Sequence, residues 1–469
     1  MSRTDPSARR NVQSHDLRVT RPDGRVKVTQ RTGGTRTRNL TETREDSQVS
    51  DMRNASLSSV NARGEPAAQV TTEPPSQAAK AVVAGERLDT LDGMRGIAAL
   101  MVVVYHFFAR WAEPVYSPTL YPHGNLLAEA PFLIIFGEVG ILLFFLVSGF
   151  VIMMTLERST GIIDFTGRRI ARLWPAMIVC ATLSAIVINA SDIGGYYHDK
   201  EWWAVRPFEY VSSLFFLPPY MTGDMLGIEG RLDWVEGVYW TLWHEVRFYG
   251  LVAIVFLVAP RLWFLWTWAA VQAISTAIEL ARTATGQSYL FGNGVELLFQ
   301  PRMLGWFSLG LCGYMLWSKR GSPAVTVIAI LAVIGILARD VVTMPGGRLG
   351  LTENSGLEIL TYIVVAVPFA LFLARSPVLG VFRLPVFITI GLASYPLYLF
   401  HELPGMAAMK IGAELGLPPL PVAVGALGLL ILVAIAIHHL VEMPGKRLIT
   451  GWWKRRFTDL ETRTPWLRF

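Results

Sequence analysis

The sequence has few charged residues and almost no cysteine. Asp, Glu, Lys and Arg make up 17% of the 469 residues, hydrophobic residues make up 52%, and the mean hydropathy is +0.40. This composition excludes an ordinary soluble protein and predicts an all-α, polytopic integral membrane protein. Cys180 and Cys312 each lie in an apolar run. Neither a disulfide framework nor a zinc site is predicted, and no metal ligands are assigned.

The first 80 residues lack long apolar runs. They contain 14 Lys and Arg against 9 Asp and Glu, with many Thr, Ser, Gln and Pro. This composition predicts a disordered cytoplasmic tail at 1–80, because a signal peptide needs an apolar core. A start codon assigned too early is an equal alternative. The tail carries +5 of the total charge of +6, so the basic pI of 9.3 does not indicate nucleic-acid binding.

Ten apolar runs are long enough to cross a bilayer, which takes about 17 to 25 residues. A shorter run at 211–217, which ends at Pro218 and Pro219, is predicted to be re-entrant or interfacial. The ten predicted spans are 94–112, 132–156, 171–190, 236–259, 262–281, 302–318, 323–340, 357–373, 384–403 and 420–441.

The distribution of basic residues predicts the orientation of these spans. Lys and Arg concentrate in the loops that are inside if the N-terminus is cytoplasmic, as in 158–172 and 446–456. We therefore expect a multi-pass protein of the cytoplasmic (inner) membrane with both termini in the cytoplasm. Residues 448–469 would be a short basic cytoplasmic tail.

Two ionisable residues, Arg95 and His106, stand in one predicted span. They are eleven positions apart, about 1100° and about 16.5 Å along an α-helix, so both side chains lie on one stripe at different depths. An arginine at a helix centre costs roughly 2.5 to 3.5 kcal/mol, and such residues usually face a cavity or a partner. His106 is a candidate general base or a structural histidine, and Arg95 is a candidate phosphate ligand or a topological anchor.

Three arginines open the third predicted span. Arg168 and Arg172 share a helix face, and Arg169 and Arg172 are also neighbours, so either pair offers a clamp for phosphate. The positive-inside rule would also place arginines at the cytoplasmic end of a helix, without any role in phosphate binding. Pro175 is expected to bend this span.

The fourth predicted span contains three ionisable residues at membrane depth. Glu245 and Tyr249 share one face with Thr241, while His244 and Arg247 share another. Such a cluster is costly and indicates a functional site. Glu245 is expected to orient His106 or to pair with an arginine. An ion pair between Glu245 and Arg247 is less favoured, because side chains two positions apart on a helix point away from each other.

Further candidate residues lie in the second and ninth spans. Ser148 and Gly149 form a small pair that permits close approach of a ligand chain or of a neighbouring helix. Ser394, Tyr398 and His401 form one stripe near the outer end of the ninth span. At the end of the last span, we expect Glu442 to pair with a basic neighbour.

Six short motifs along residues 87–447 resemble those of the membrane-integral acyltransferase 3 family. Each motif is short, but all six occur in the expected order, and His244 and Arg247 depart from the usual pattern. The six matching segments are Leu91–Gly96 with His106, Phe144–Phe150, Arg169–Pro175, Trp240–Tyr249, Ser394–His401 and Val441–Pro444.

The resemblance implies a ten-span enzyme without a fused SGNH hydrolase domain. Such enzymes move an acyl group, commonly acetyl from cytoplasmic acetyl-CoA, to a hydroxyl of an envelope polysaccharide, lipid-linked sugar or glycolipid. Acyl-CoA would be a substrate, with no permanently bound cofactor. The expected partners are this donor, a carbohydrate or lipid-linked acceptor and the lipid bilayer.

On this basis the candidate residues receive roles. CoA phosphates would bind among Arg95, Arg168, Arg169 and Arg172. The catalytic residues would be His106 and Glu245. His106 would deprotonate the acceptor or carry the acyl group transiently, and Glu245 would set its tautomer. The site would be supported by Ser148, Tyr249, Tyr398 and His401.

A transporter or flippase of a lipid-linked sugar is the alternative function. Intramembrane His, Glu and Arg could relay protons or hold a head group in such a protein. Transporters commonly show two related halves. No convincing repeat relates spans 1–5 to spans 6–10, so the enzyme is favoured.

Overall fold

A computed structural model places most of the chain outside the N-terminal tail. It describes residues 77–110, 134–191, 205–230, 232–285, 298–299, 303–338, 341–344, 348–351 and 355–469. The tail predicted to be disordered spans 1–80, and residues 1–76 of it lie outside the described part of the chain.

The first half of the described chain consists of seven helices. A 3₁₀ turn at Gly237–Tyr239 leads directly into the sixth. In chain order the helices are α1 (Gln77–Phe108), α2 (Ile134–Glu157), α3 (Ile162–Ala190), α4 (Pro207–Leu214), α5 (Pro219–Met225), α6 (Trp240–Val258) and α7 (Phe264–Thr285).

The second half is also mainly helical. Short 3₁₀ segments occupy Pro377–Arg383 and Pro465–Leu467, and a π-helical turn occupies His438–Glu442. A short two-stranded antiparallel hairpin, in which Val341 pairs with Leu351, is a minor addition to the helical fold. The elements are α8 (Leu304–Trp317), α9 (Pro323–Ala338), β1 (Val341–Met344), β2 (Arg348–Leu351), α10 (Ser355–Leu373), α11 (Pro385–Leu392), α12 (Ser394–Leu399), α13 (Glu402–Glu414), α14 (Pro419–Ile437) and α15 (Met443–Arg463).

The apolar helices confirm the fold class but not the count of ten spans. Within the described chain, seven helices are long and apolar enough to cross a membrane, and α8 and α9 are shorter apolar helices. The seven are Leu88–Phe108, Ile135–Glu157, Ile162–Ala190, Gly237–Val258, Phe264–Thr285, Gly356–Leu373 and Pro419–Phe457.

The predicted ninth span is broken into two short helices. α11 ends at Leu392 and α12 begins at Ser394, with Ala393 between them. Pro396 has no backbone N–H to donate to the carbonyl of Leu392, so the helical ladder cannot continue unchanged through this point. The break brings the polar side chains of α12 into the interior, where Ser394 is completely buried.

Glycines allow the helices around the interior to pack closely. A Cβ atom on Gly149 of α2 would collide with the carbonyl oxygen of Phe307 in α8, and one on Gly310 would collide with that of Leu146. The small pair at Ser148 and Gly149 therefore serves close helix packing, one of the two predicted alternatives.

The apolar core is continuous through the helices. Phe248 of α6 stacks on Phe307 with ring centroids 4.3 Å apart. Cys180 and Cys312 are both buried and free, so they pack as small core residues.

The C-terminal segment forms a helix that packs on α3. Trp453 Nε1 donates to the carbonyl of Ile163 at 2.9 Å, and the hydroxyl of Thr160 donates to Glu461 at 2.8 Å. The predicted short basic tail at 448–469 is therefore largely helical and is attached to the start of α3.

Candidate active site

A cavity of about 110 Å³, with charged and hydroxyl groups in part of its wall, lies among α1, α2, α3, α6 and α12. Most of its wall is apolar, with residues such as Phe144 and Leu173. Its polar wall combines three cations, one carboxylate and several hydroxyl groups. These residues are Arg95, Ser148, Arg169, Arg172, Thr241, Glu245, Tyr249, Ser394, Tyr395 and Tyr398.

Glu245 is the carboxylate of this cavity. Ser148 donates to Glu245 Oε1 at 2.7 Å, and the Tyr249 hydroxyl donates to the same oxygen. Glu245 and Tyr249 meet because they stand four residues apart on α6. Arg247 turns to the other face, where its guanidinium is 2.6 Å from His244 Nδ1.

Two of the three predicted arginines of α3 reach the cavity. Arg169 donates to the Thr155 hydroxyl at 3.0 Å and lies 5.7 Å from the Tyr249 ring centroid. Arg172 forms an ion pair with Glu442, as expected for that glutamate. Arg168 is instead paired with Asp164 at 2.9 Å, and its side chain is 38% exposed. The clamp therefore consists of positions 169 and 172.

Two buried polar atoms on the cavity wall have no hydrogen-bond partner among the described residues. They are Nε of Arg169 and Oγ of Ser394. Buried polar groups in proteins are nearly always hydrogen-bonded. A cationic donor and a hydroxyl left over in the same cavity fit a polar, anionic ligand. Arg95, which is 3.2 Å from Asp92, adds a third positive charge.

His106 lies in a second polar cluster, beside the cavity. His106 is not among the described residues that line the cavity. Its Nδ1 is 2.9 Å from the carbonyl oxygen of Val102 and 3.2 Å from Nε2 of His401. Its Nε2 is 3.5 Å from Oε1 of Glu402. The structure thus brings two predicted residues, His106 and His401, into contact.

Tyr398 stands between the cavity and the histidines. Its hydroxyl is 2.8 Å from the Thr241 hydroxyl, and its ring centroid is 5.8 Å from that of His401. Phe144 packs edge-on against the same tyrosine at 5.7 Å. Tyr398 therefore lines the cavity on one side and contacts His401 on the other.

Sequence reasoning missed the carboxylates beside the histidines. Glu402 follows His401 directly and lies inside the predicted ninth span, and Glu236 is the first residue of the predicted fourth span. Both are buried. The cost of a carboxylate in an apolar run was an available signal for Glu402. Within the part of the chain that the structure describes, no group of three or more His, Cys, Asp or Glu is arranged to hold a metal ion.

Comparison with known proteins identifies the family. A family model described as an acyltransferase domain matches residues 88–439. The chain belongs to this acyltransferase family. As a member it is a transferase of acyl groups, and its apolar helices make it a multi-pass membrane acyltransferase. No solved structure matches the chain.

Several relatives are named for acyl transfer or polysaccharide production. The acyltransferase is 26% identical to the exopolysaccharide production protein ExoZ of Rhizobium meliloti over 66% of this chain and 89% of ExoZ. It is 31% identical to the O-acetyl transferase of Shigella phage Sf6 over 26% of this chain and 33% of that protein. A Staphylococcus aureus protein named as an O-acetyltransferase is 22% identical over 66% of this chain and 49% of that protein.

Proposed function

We propose that this acyltransferase transfers an acetyl group from cytoplasmic acetyl-CoA to a hydroxyl of an envelope or exported glycan or glycolipid. The observation that carries the proposal is the cationic cavity, with its unpartnered Arg169 Nε and Ser394 Oγ, next to the buried His106. The names of the relatives support an O-acetyl product and a polysaccharide acceptor.

The arginines supply the donor site. Coenzyme A carries several phosphates, and a planar guanidinium binds phosphate oxygens with two parallel hydrogen bonds. Arg172 already pairs with Glu442 and Arg95 with Asp92, whereas Nε of Arg169 has no partner among the described residues, so Arg169 is the cation with the most capacity for a phosphate. Arg168 points to Asp164 and has no part in this site.

His106 supplies the base. The acceptor oxygen forms a bond to the acyl carbon, the carbon–sulfur bond breaks, and the acceptor proton passes to the imidazole. The departing CoA thiolate then takes a proton from the imidazolium. In a two-step version the imidazole first carries the acyl group itself. In either route the acyl group passes Tyr398, which lines the donor cavity and packs against His401.

Glu245 acts on the cavity side. It was predicted to set the tautomer of His106, but its hydrogen bonds go to Ser148 and Tyr249. These bonds fix two hydroxyl groups in the wall beside Arg169. We assign Glu245 to shaping the donor pocket and balancing its positive charge.

The proposed location is the cytoplasmic membrane with both termini in the cytoplasm. The inner ends of α1 and α3 carry the arginines, so the donor enters from the cytoplasm and the acceptor from the opposite side.

The test uses the purified full-length protein in lipid nanodiscs with acetyl-CoA labelled on the acetyl group. An acyltransferase releases free CoA and moves the label to protein, water or an added glycan. A transporter of a lipid-linked sugar leaves acetyl-CoA intact. Absence of both CoA release and label transfer, in the presence of envelope glycan extract, would remove the support for the proposal.

A further inference from the structure

Two buried glutamates connect the start of α6 to the start of α13. Glu402 Oε2 accepts from the backbone N–H of Val238 at 3.0 Å. In return, Glu236 Oε2 accepts from the backbone N–H of Leu403 at 3.0 Å. The two carboxylates are 4% and 0% exposed, so each is held by the segment that carries the other.

The two glutamates differ in what their other oxygens face. Glu236 Oε1 accepts from the Ser184 hydroxyl, so this carboxylate is occupied by structural hydrogen bonds at both oxygens. Glu402 Oε1 faces Nε2 of His106 at 3.5 Å. One glutamate therefore reaches the proposed base, and its neighbour does not.

The backbone contacts of the histidines fix their tautomers. A carbonyl oxygen can only accept, so Nδ1 of His106, 2.9 Å from Val102 O, carries the hydrogen. Nδ1 of His401 carries one for the same reason, since it is 2.9 Å from Tyr398 O. Nε2 of His401 then carries a lone pair 3.2 Å from Nδ1 of His106, so the one Nδ1–H of His106 is shared between the Val102 carbonyl and His401.

This assignment leaves the lone pair of His106 on Nε2. That nitrogen is the atom beside Glu402 Oε1. When Nε2 takes a proton, the resulting imidazolium lies against a buried carboxylate, where an opposite charge is strongly stabilising. Glu245, bonded to Ser148 and Tyr249, has no comparable position.

We infer that Glu402, together with His401, is the positioning pair for His106. This role rests on the proposed function. It means that the carboxylate that stabilises the protonated base belongs to α13 (Glu402) and not to α6 (Glu245). His401 holds the His106 ring by accepting from its Nδ1–H. Nε2 of His106 removes the acceptor proton as the oxygen–acyl bond forms, and Glu402 balances the charge of the imidazolium until the CoA thiolate takes that proton.

The charged and titratable neighbours of this cluster are few among the described residues. Arg110 and His401 face His106, and Glu402 faces the same two groups. Glu236 is the titratable group next to Glu402 from the α6 side. Removal of the Glu402 charge therefore leaves Arg110 as the dominant charge at His106, which opposes protonation of the imidazole.

The test compares Glu402→Gln with Glu236→Gln in the nanodisc assay. Both remove one buried carboxylate from the same cluster, but Glu402 alone of the pair faces His106. We expect Glu402→Gln to lower kcat by roughly 10²-fold, the usual scale of acid–base assistance. The KM for acetyl-CoA should stay at the wild-type value, because the donor cavity is untouched.

The pH dependence gives a second readout that a merely structural residue would not move. Without the carboxylate, protonation of His106 is less favourable, so the rate should fall less steeply than in the wild type as the pH is lowered. Glu402→Asp, which restores the charge, should restore the steeper fall. Glu236→Gln should keep the wild-type profile, whatever its effect on stability.

The outcomes separate this inference from the proposed function. If wild-type protein releases no CoA, the proposed function fails. If the wild type is active and Glu402→Gln keeps its kcat and pH profile, the inference is overturned. It is also overturned if Glu245→Gln, and not Glu402→Gln, changes the pH profile. Size-exclusion elution of each variant as a single peak identifies protein that has kept its fold.

Discussion

At the scale of single residues, the polar side chains inside this acyltransferase sort into two clusters with separate chemistry. Arg95, Arg169 and Glu245 belong to a cavity suited to an anionic donor. His106 and Glu402 belong to the buried cluster that we propose for proton transfer. The division assigns binding to the first cluster and chemistry to the second, so variants in the two should change different kinetic constants.

Arg169 and Arg168 provide a matched test of donor binding. Arg169→Lys should raise the KM for acetyl-CoA about tenfold, or ~1.4 kcal/mol, because an ammonium cannot reproduce the two parallel bonds of a guanidinium. Arg168→Lys makes the same substitution one position away, in the ion pair with Asp164, and should leave KM unchanged. Equal effects of the two variants in steady-state assays would argue against the assigned donor site.

Sequence alone identified most of these residues but not their partners. Ionisable side chains in apolar runs are costly, and that cost singled out His106, Arg95 and Glu245. Which carboxylate meets His106 depends on how α1 and α13 pack, and no spacing along the chain encodes that contact. Glu402 was therefore missed, and the neighbour of His106 was expected to be Glu245.

At the scale of elements, close helix packing and one broken helix position the site. Gly149 brings α2 against α8, and Ser148, the residue before it, lies on an adjacent face of α2 where it donates to Glu245. The break at Ala393 turns α12 so that Tyr398 reaches the cavity. Hydropathy located both segments, but it could not show that the ninth run is two helices, since local apolar content is the same in either case.

A pair of glycine variants tests the packing. Gly149→Ala should lower the unfolding temperature, because overpacking typically costs about 1–3 kcal/mol and the new methyl group meets the Phe307 carbonyl. Gly428→Ala in α14, where a Cβ meets nothing within 4 Å, should be neutral or stabilising. The unfolding temperature of both variants is measured in detergent. A wild-type unfolding temperature for Gly149→Ala would show that α2 and α8 are not in this contact.

At the scale of the whole molecule, the proposed orientation places the two substrates on opposite sides of the membrane. The loop that contains α5 would face outward, and α15 would lie in the cytoplasm. The basic residues of the sequence predict this arrangement, and the helices alone do not test it. Both native cysteines are buried, which makes labelling of introduced cysteines practical.

Cysteine labelling tests the orientation directly. Asp224→Cys, at an exposed position of α5, should react with a membrane-impermeant maleimide in intact cells. Lys454→Cys, at an exposed position of α15, should react only after the membrane is permeabilised. The reverse pattern would place the arginine cavity on the outer side and would contradict a cytoplasmic CoA donor.

The most direct test of the account is the rate of CoA release by His106→Ala against wild type, both in nanodiscs with acetyl-CoA and acceptor glycan. The account predicts a loss of at least about 10²-fold with unchanged size-exclusion elution, because the base is gone while the helices still pack. A His106→Ala protein that releases CoA and acetylates the acceptor at the wild-type rate would contradict it.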